Sequence, residues 1–226
     1  PTPGDTSAHN AADAATVTKA EPWLEVGQEA SVLVGGKGFD QAGGPLLFNH
    51  PKGIASDGTR LALADGNNNR VLLWNQAPTA NTPPDIVLGQ LDFDGNDPGT
   101  GAAEMNWPVA VAFGGGRLLV ADTYNHRVLV WHKIPTQSGA PADLIIDGVH
   151  SADQNDLSPR KDRFVWPWGV WSDGTRLVIT STAKMTNGGI GFGGWVLIWK
   201  TFPTAGNQPA DLLLTASGDM GTPRTI

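Results

Sequence analysis

The sequence predicts an all-β protein assembled from repeated four-stranded antiparallel sheets. Three observations carry that prediction. Glycine and proline supply 29 and 17 of the 226 residues, a turn-forming load that a helical bundle does not tolerate. At the same time 40% of the chain is hydrophobic and nine residues are tryptophan, more than a disordered chain carries. Finally, three segments superimpose on one another, and each breaks into short apolar runs separated by glycine-containing turns, with no helical periodicity.

Several classes fall away on composition alone. No cysteine is present, so a disulfide framework is excluded. The formal net charge of −7 argues against a nucleic-acid partner, because neutralising phosphates needs clustered Lys and Arg. No run of 18 apolar residues exists, so no transmembrane segment is predicted. Absent cysteine, a charged fraction of only 16% and abundant Thr, Asn and Gly fit an exported chain, secreted or periplasmic. Residues 1–22, rich in Ala, Thr, Pro and Asp, read as an N-terminal tail or linker. The remainder, 23–226, reads as sheet.

The repeats begin at Phe48, Met105 and Phe164, with marker prolines Pro51, Pro108 and Pro167 spaced 57 and 59 residues apart. A first strand follows each marker, as in Gly53-Ile54-Ala55, Ala110-Val111-Ala112 and Gly169-Val170-Trp171. The turns Asp57-Gly58-Thr59, Gly114-Gly115-Gly116 and Asp173-Gly174-Thr175 supply the positive φ that a hairpin requires. Second strands are expected at Leu61–Ala64, Leu118–Ala121 and Leu177–Thr180. Third strands are expected at Val71–Trp74, Val128–Trp131 and Val196–Trp199. Fourth strands follow from Pro83, Pro141 and Pro209. An orphan copy of the fourth strand, ASVLVGG, starts at Ala30. Trp74, Trp131 and Trp199 recur at one position and are expected to pack between neighbouring sheets. Four antiparallel strands in about 57 residues is the pattern of a propeller blade, and the units span roughly 48–91, 105–148 and 164–217.

Within this frame the chain resembles the NHL-repeat β-propeller family. The residues that carry the resemblance are Pro51-Lys52-Gly53-Ile54-Ala55, Ala64-Asp65 and Asn69-Arg70-Val71, then Ala121-Asp122 and Asn125-His126-Arg127-Val128. Asp65 and Arg70 are five apart, as are Asp122 and Arg127. In the third repeat their counterparts are Ser181 and Trp195, so both partners change together. This covariation within one chain points to a structural carboxylate–guanidinium pair across the hairpin. Asn67, Asn68, Asn69 and Asn125 are expected to build the turn between them.

The resemblance implies fold more than activity. In such rings ligands bind where the innermost strands meet a face of the channel. The candidates there are Asn49, His50 and Lys52, then Asn106, Trp107 and Val109, then Val165, Trp166 and Trp168. Relatives include an amidating lyase and lactonases, so an enzyme with a channel metal is the alternative to a binding or assembly module. The lyase-type zinc histidines would fall at Lys52, Val109 and Trp168, where no histidine stands. The lactonase type needs Glu, Asn and Asp on one ion, yet Glu25, Glu29 and Glu104 lie off the inner strands. No catalytic residue and no metal site is assigned. Asp92, Asp94 and Asn96 are spaced as calcium-loop oxygens, but the twelfth position of that pattern is Ala103 rather than Glu. No cofactor is therefore assigned, with calcium the one candidate ion.

Two further expectations concern partners. The insertion Met185–Gly194 in the third repeat reads as a mildly apolar loop whose Ile190 and Phe192 contact another subunit. Three blades fall short of the four to eight of closed propellers. Either residues 10–40 add a degenerate fourth blade, with strands at Ala15–Val17, Trp23–Val26 and Ala30–Val34, or another copy or a protein partner completes the ring.

Overall fold

A computed structural model of the chain describes residues 30–32, 34, 44–148, 160–185 and 191–215, with backbone alone for 183–185 and 191–193. Two compact units are present, Pro1–Ser31 and Val32–Ile226. Of the first, only Ala30 and Ser31 are described, so the expected strands at Ala15–Val17 and Trp23–Val26 lie outside the described residues. Ala30, Ser31, Val32 and Val34 are not in a strand. The orphan-strand expectation therefore fails for the described part of that segment. Val34 instead packs its side chain on the first blade.

The second unit contains three four-stranded antiparallel sheets in chain order. Blade 1 is β1 (Pro51–Ser56), β2 (Leu61–Asp65), β3 (Arg70–Trp74) and β4 (Ile86–Leu88). Blade 2 is β5 (Pro108–Gly114), β6 (Arg117–Asp122), β7 (Arg127–Trp131) and β8 (Leu144–Asp147). Blade 3 is β9 (Pro167–Ser172), β10 (Leu177–Met185), β11 (Gly191–Trp199) and β12 (Leu212–Thr215). The all-β, blade-built class read from the sequence is what the structure contains. The strands after the marker prolines pair with their neighbours as hairpins, and each pairing slips by a β-bulge just past the proline. Proline has no N–H to give the ladder, and a bulge there turns the following side chain out of register.

One element differs from the sequence expectation. Met185 and Gly191–Gly194, expected in a loop, lie in β10 and β11, paired from Met185↔Gly191 to Thr182↔Gly194. Ladder bonds are made by backbone, so glycine costs the pairing only entropy and side-chain contact. Phe192 stands opposite Lys184 in this hairpin. Ile190 lies outside the described residues.

Period-two alternation gives every blade two apolar faces, and stacking the blades buries them. Ala62, Ala64, Val71, Leu73, Ile86 and Leu88 of blade 1 meet Met105, Val111, Leu118, Val120, Leu129 and Trp131 of blade 2 in one core. Ala112, Leu119, Val128, Val130 and Ile146 on the other face of blade 2 meet Phe164, Leu177, Ile179, Leu197 and Trp199 of blade 3. The recurring tryptophans satisfy their indole N–H in one way. Trp74, Trp131 and Trp199 donate Nε1–H to the carbonyls of Thr82, Ala140 and Gln208, at 3.0, 3.1 and 2.9 Å.

A buried ion pair closes the β2–β3 and β6–β7 turns. Arg70 Nε donates to Asp65 Oδ2 at 2.8 Å, and Arg127 Nε to Asp122 Oδ2 at 2.7 Å, with all four side chains almost wholly buried. The other carboxylate oxygen accepts the backbone N–H of Asn49 or Asn106. Each guanidinium goes on to clamp loop carbonyls, those of Gly44, Leu47 and Phe93 in blade 1 and Thr100, Gly101 and Glu104 in blade 2. In blade 3 the register places Ser181 opposite Trp195, and Ser181 Oγ takes over the carboxylate's task by accepting the N–H of Val165 at 3.1 Å. Burial pushes the Asp122 carboxyl up, while its hydrogen bonds from Asn106, Asn125 and Arg127 pull against that.

The charged and neutral versions should differ on truncation. Asp122→Ala leaves a buried guanidinium unpaired and is expected to cost about 3–5 kcal/mol. Ser181→Ala removes its two neutral hydrogen bonds with Val165 and is expected to cost about 1–2 kcal/mol. Urea unfolding of the two variants beside wild type checks the order, and equal losses would contradict it.

Candidate functional site

The site grows from a backbone irregularity. The residue before each marker proline, His50, Trp107 or Trp166, has φ of 54°, 53° or 44°, a left-handed conformation unusual for bulky residues. Hydrogen bonds hold each kink in place. Gly66 N–H donates to His50 O, Tyr124 N–H to Asn106 O, and Thr182 N–H to Trp166 O, at 3.3, 3.1 and 3.4 Å. The neighbouring blade adds a latch: Trp107 N–H donates to Asn69 Oδ1 at 2.8 Å, and Trp166 N–H to His126 Nδ1 at 3.1 Å. Asn69 and His126 are themselves left-handed, at φ 50° and 54°, a conformation to which Asn and His are better suited than most. The kink and the bulge behind it turn the residues on both sides of the proline toward one end of the inner strands.

Those residues converge into an aromatic and polar ledge drawn from all three blades. The Trp107 ring lies 4.5 Å from Tyr124, tilted by 30°, and 5.5 Å from Trp168, edge to face at 87°. Both spacings fall in the range in which aromatic pairs attract. Lys52 Nζ stands 5.0 Å above the Trp107 ring, a cation–π contact. Trp107 Nε1–H donates to Asn67 Oδ1 at 2.9 Å, and Asn67 Nδ2 lies 2.9 Å from His50 Nδ1. Trp168 Nε1–H donates to Thr182 Oγ1 at 2.5 Å. Tyr124 and Trp168 nevertheless remain 53% and 43% exposed, and Lys52, His50 and Asn67 are exposed beside them. Together these groups place π faces, an ammonium, an imidazole and a planar amide side by side.

Of the candidates read from the sequence, His50, Lys52, Trp107 and Trp168 are joined in this ledge. Trp166 instead stacks against the His126 ring at 5.9 Å, and Val109 is buried. Tyr124 and Thr182 were not among the candidates. The available signal for Tyr124 was that the only tyrosine in the chain stands where blade 1 has Asn67. Among the described residues, no group of three His, Asp or Glu could hold a metal ion. Asp92 Oδ1 caps the turn by accepting from Asp94 N–H and Gly95 N–H, both at 3.0 Å. The carbonyl of Asn96 accepts from Asn69 Nδ2.

The fold and this repeated kink define blades of the β-propeller class. The family model described as NHL repeat matches residues 105–131, which run from Met105 through β5, β6 and the Asp122–Arg127 turn to Trp131. The chain thus carries an NHL repeat in blade 2, and blade 1 repeats its proline, acid–base pair and tryptophan. No curated protein matches the chain.

The blade 2–blade 3 latch is sensitive to acid. His126 Nδ1 accepts the Trp166 N–H, so its ring must be neutral. Burial lowers the His126 pKa below the ordinary 6.5, and Asp147 opposes the shift. A pKa that is lower in the folded state gives stability that is complete above pH 6.5 and is lost as pH falls toward the folded value. His126→Asn puts the blade 1 residue at this position, keeps an acceptor and removes the titration. Between pH 7 and 5.5 the variant is expected to lose less stability than wild type in denaturant melts, and parallel losses would refute the latch.

Proposed function

We propose that the chain is an exported binding and assembly module of the β-propeller class, and that the ledge of Lys52, Trp107, Tyr124 and Trp168 is its contact surface for a protein partner. The observation that carries this reading is the convergence of Trp107 and Tyr124 from blade 2 and Trp168 from blade 3 beside the polar groups of blade 1, with Tyr124 and Trp168 exposed. Aromatic side chains supply contact area at low conformational-entropy cost, and Trp and Tyr dominate binding hot spots. Their flanking polar groups match a peptide surface, since amide, imidazole and ammonium groups can pair with main-chain carbonyls. The absence of cysteine and the low charged fraction support export.

Peptides selected on the wild-type chain from a displayed library test the surface. Trp168→Ala and Tyr124→Ala, both at exposed positions, are expected to weaken binding of those peptides by more than about tenfold, with unchanged far-UV circular dichroism. Lys52→Ala is expected to give a smaller loss that shrinks further as salt rises. Affinities unchanged in all three variants would remove the ledge from the proposal.

A further inference from the structure

The blades have a direction. Blade 2 packs one face back on blade 1 and the other forward on blade 3. Blade 2 has both faces covered, so it serves as the internal standard for the forward face of blade 3 and the back face of blade 1.

On blade 3 the forward face is apolar. Register places Trp171 opposite Val178, Val178 opposite Ile198, Ile198 opposite Leu212, and Val196 opposite Leu214. The corresponding positions of blade 2 are Ala112, Leu119, Val130, Leu144, Val128 and Ile146, all in its core with blade 3. Ile146 is 1% exposed, whereas its counterpart Leu214 is 54% exposed. Trp171 and Leu212 are exposed as well.

A groove of about 450 Å³ opens on this part of blade 3, lined among others by Thr180, Thr182, Trp195, Val196 and Leu214. The matching positions of blade 2 include Thr123, Val128 and Ile146, which show what such a groove receives. Phe164, three residues before the blade 3 marker proline, packs with Val128 and Ile146, so close over Gly148 that a Cβ there would lie 2.6 Å from its ring. Thr123 Oγ1–H donates to Pro167 O at 2.7 Å. Met105 plays the Phe164 part between blades 1 and 2, alongside Val71 and Leu88. The groove is therefore a socket, with Thr182 in the place of Thr123.

The matching plug is in the same chain. Phe48 stands three residues before Pro51, as Met105 and Phe164 stand before theirs. Met105 and Phe164 are almost wholly buried, while Phe48 is only half-buried. On the same face of blade 1, Ile54 is 64% exposed where its counterpart Val111 is 6% exposed. Among the described residues, blade 3 thus presents an open socket on its forward face, and blade 1 a plug at Phe48 and Ile54, beside Leu72, Trp74 and Val87 that Val34, Phe48 and Phe93 already cover.

We infer that a second copy of this chain completes the structure: the uncovered part of the back face of its blade 1, with Phe48 and Ile54, seats on the forward face of blade 3, in the manner of the contact made twice within each chain. Thr182 then donates to the carbonyl of Pro51 in the second copy, as Thr123 does to Pro167. Because the two surfaces differ, the contact is heterologous, and two copies joined at both contacts close on themselves. The inference rests on the assembly part of the proposed function and not on the ledge.

Sedimentation of the full chain at micromolar concentration tests it. Wild type is expected at the mass of two chains. Leu214→Asp and Ile54→Asp change groups already exposed within one chain, so both should fold. Each places an unpaired charge in the contact, and each is expected to weaken association by more than about tenfold. An equimolar mixture of the two variants has one contact with both surfaces intact, and it is expected to regain two-chain mass. A folded wild type at one-chain mass overturns the inference and leaves the face to a different protein. A two-chain mass unmoved by either variant also overturns it. Trp168→Ala is expected to keep the two-chain mass, so a failed ledge and a failed assembly are told apart.

Discussion

Every blade is a sheet with two apolar faces, and a sheet of that kind is stable only when both are covered. The rest of the structure answers to this constraint. Alternation along each strand sends odd and even residues to different cores, so Leu118 and Val120 join blade 1 while Leu119 joins blade 3. The first blade lays Leu72, Trp74 and Val87 under Val34, Phe48 and Phe93. The third leaves Trp171, Leu212 and Leu214 of its forward face exposed. Among the described residues, blade 2 has both faces covered by neighbouring blades.

Polar interactions sit where stacking cannot reach. At the end of each β2–β3 type hairpin the chain must turn while its backbone donors and the preceding loop's carbonyls are buried. Blades 1 and 2 meet that need with an aspartate that accepts a backbone N–H and an arginine that donates to several carbonyls. Blade 3 does the first task with Ser181 and leaves out the guanidinium, and its hairpin runs on by several residues instead of turning. Trp195 fills the arginine's position, and its Nε1–H is buried without a hydrogen-bond partner. The neutral solution thus carries a cost that the ionic one avoids, because an unmade hydrogen bond in a dry site is more expensive than a made one is favourable.

The ledge depends on the same turn. A proline that withholds its N–H, a bulge behind it and a left-handed residue before it are local features. Their repetition in three stacked sheets brings His50, Lys52, Trp107, Tyr124 and Trp168 together. The latch from each blade to the residue before the next proline holds the spacing between them. Asn69 and His126 thus tie the residue before each following proline to the blade before it.

Much of this was legible in the residues alone. Marker prolines, Asp-Gly turns and period-two apolar runs placed ten of the twelve strands to within a few residues, because those signals act over distances of a few residues along the chain, and β10 and β11 run five residues beyond their expected ends. The joint change of Asp and Arg to Ser181 and Trp195 indicated partners across a hairpin before any coordinate did. What the tertiary structure decided is whatever depends on how blades stack. A glycine-rich stretch read as a loop became the ends of β10 and β11, since backbone pairing needs a facing strand and not a side chain. Tyr124 and Thr182 entered the ledge, and Trp166 left it for His126, because neighbouring blades set those distances. The exposure of Ile54 and Leu214 was unreadable for the same reason: sequence reports which face of a strand is apolar, and only the stacked sheets report which side chains are still uncovered.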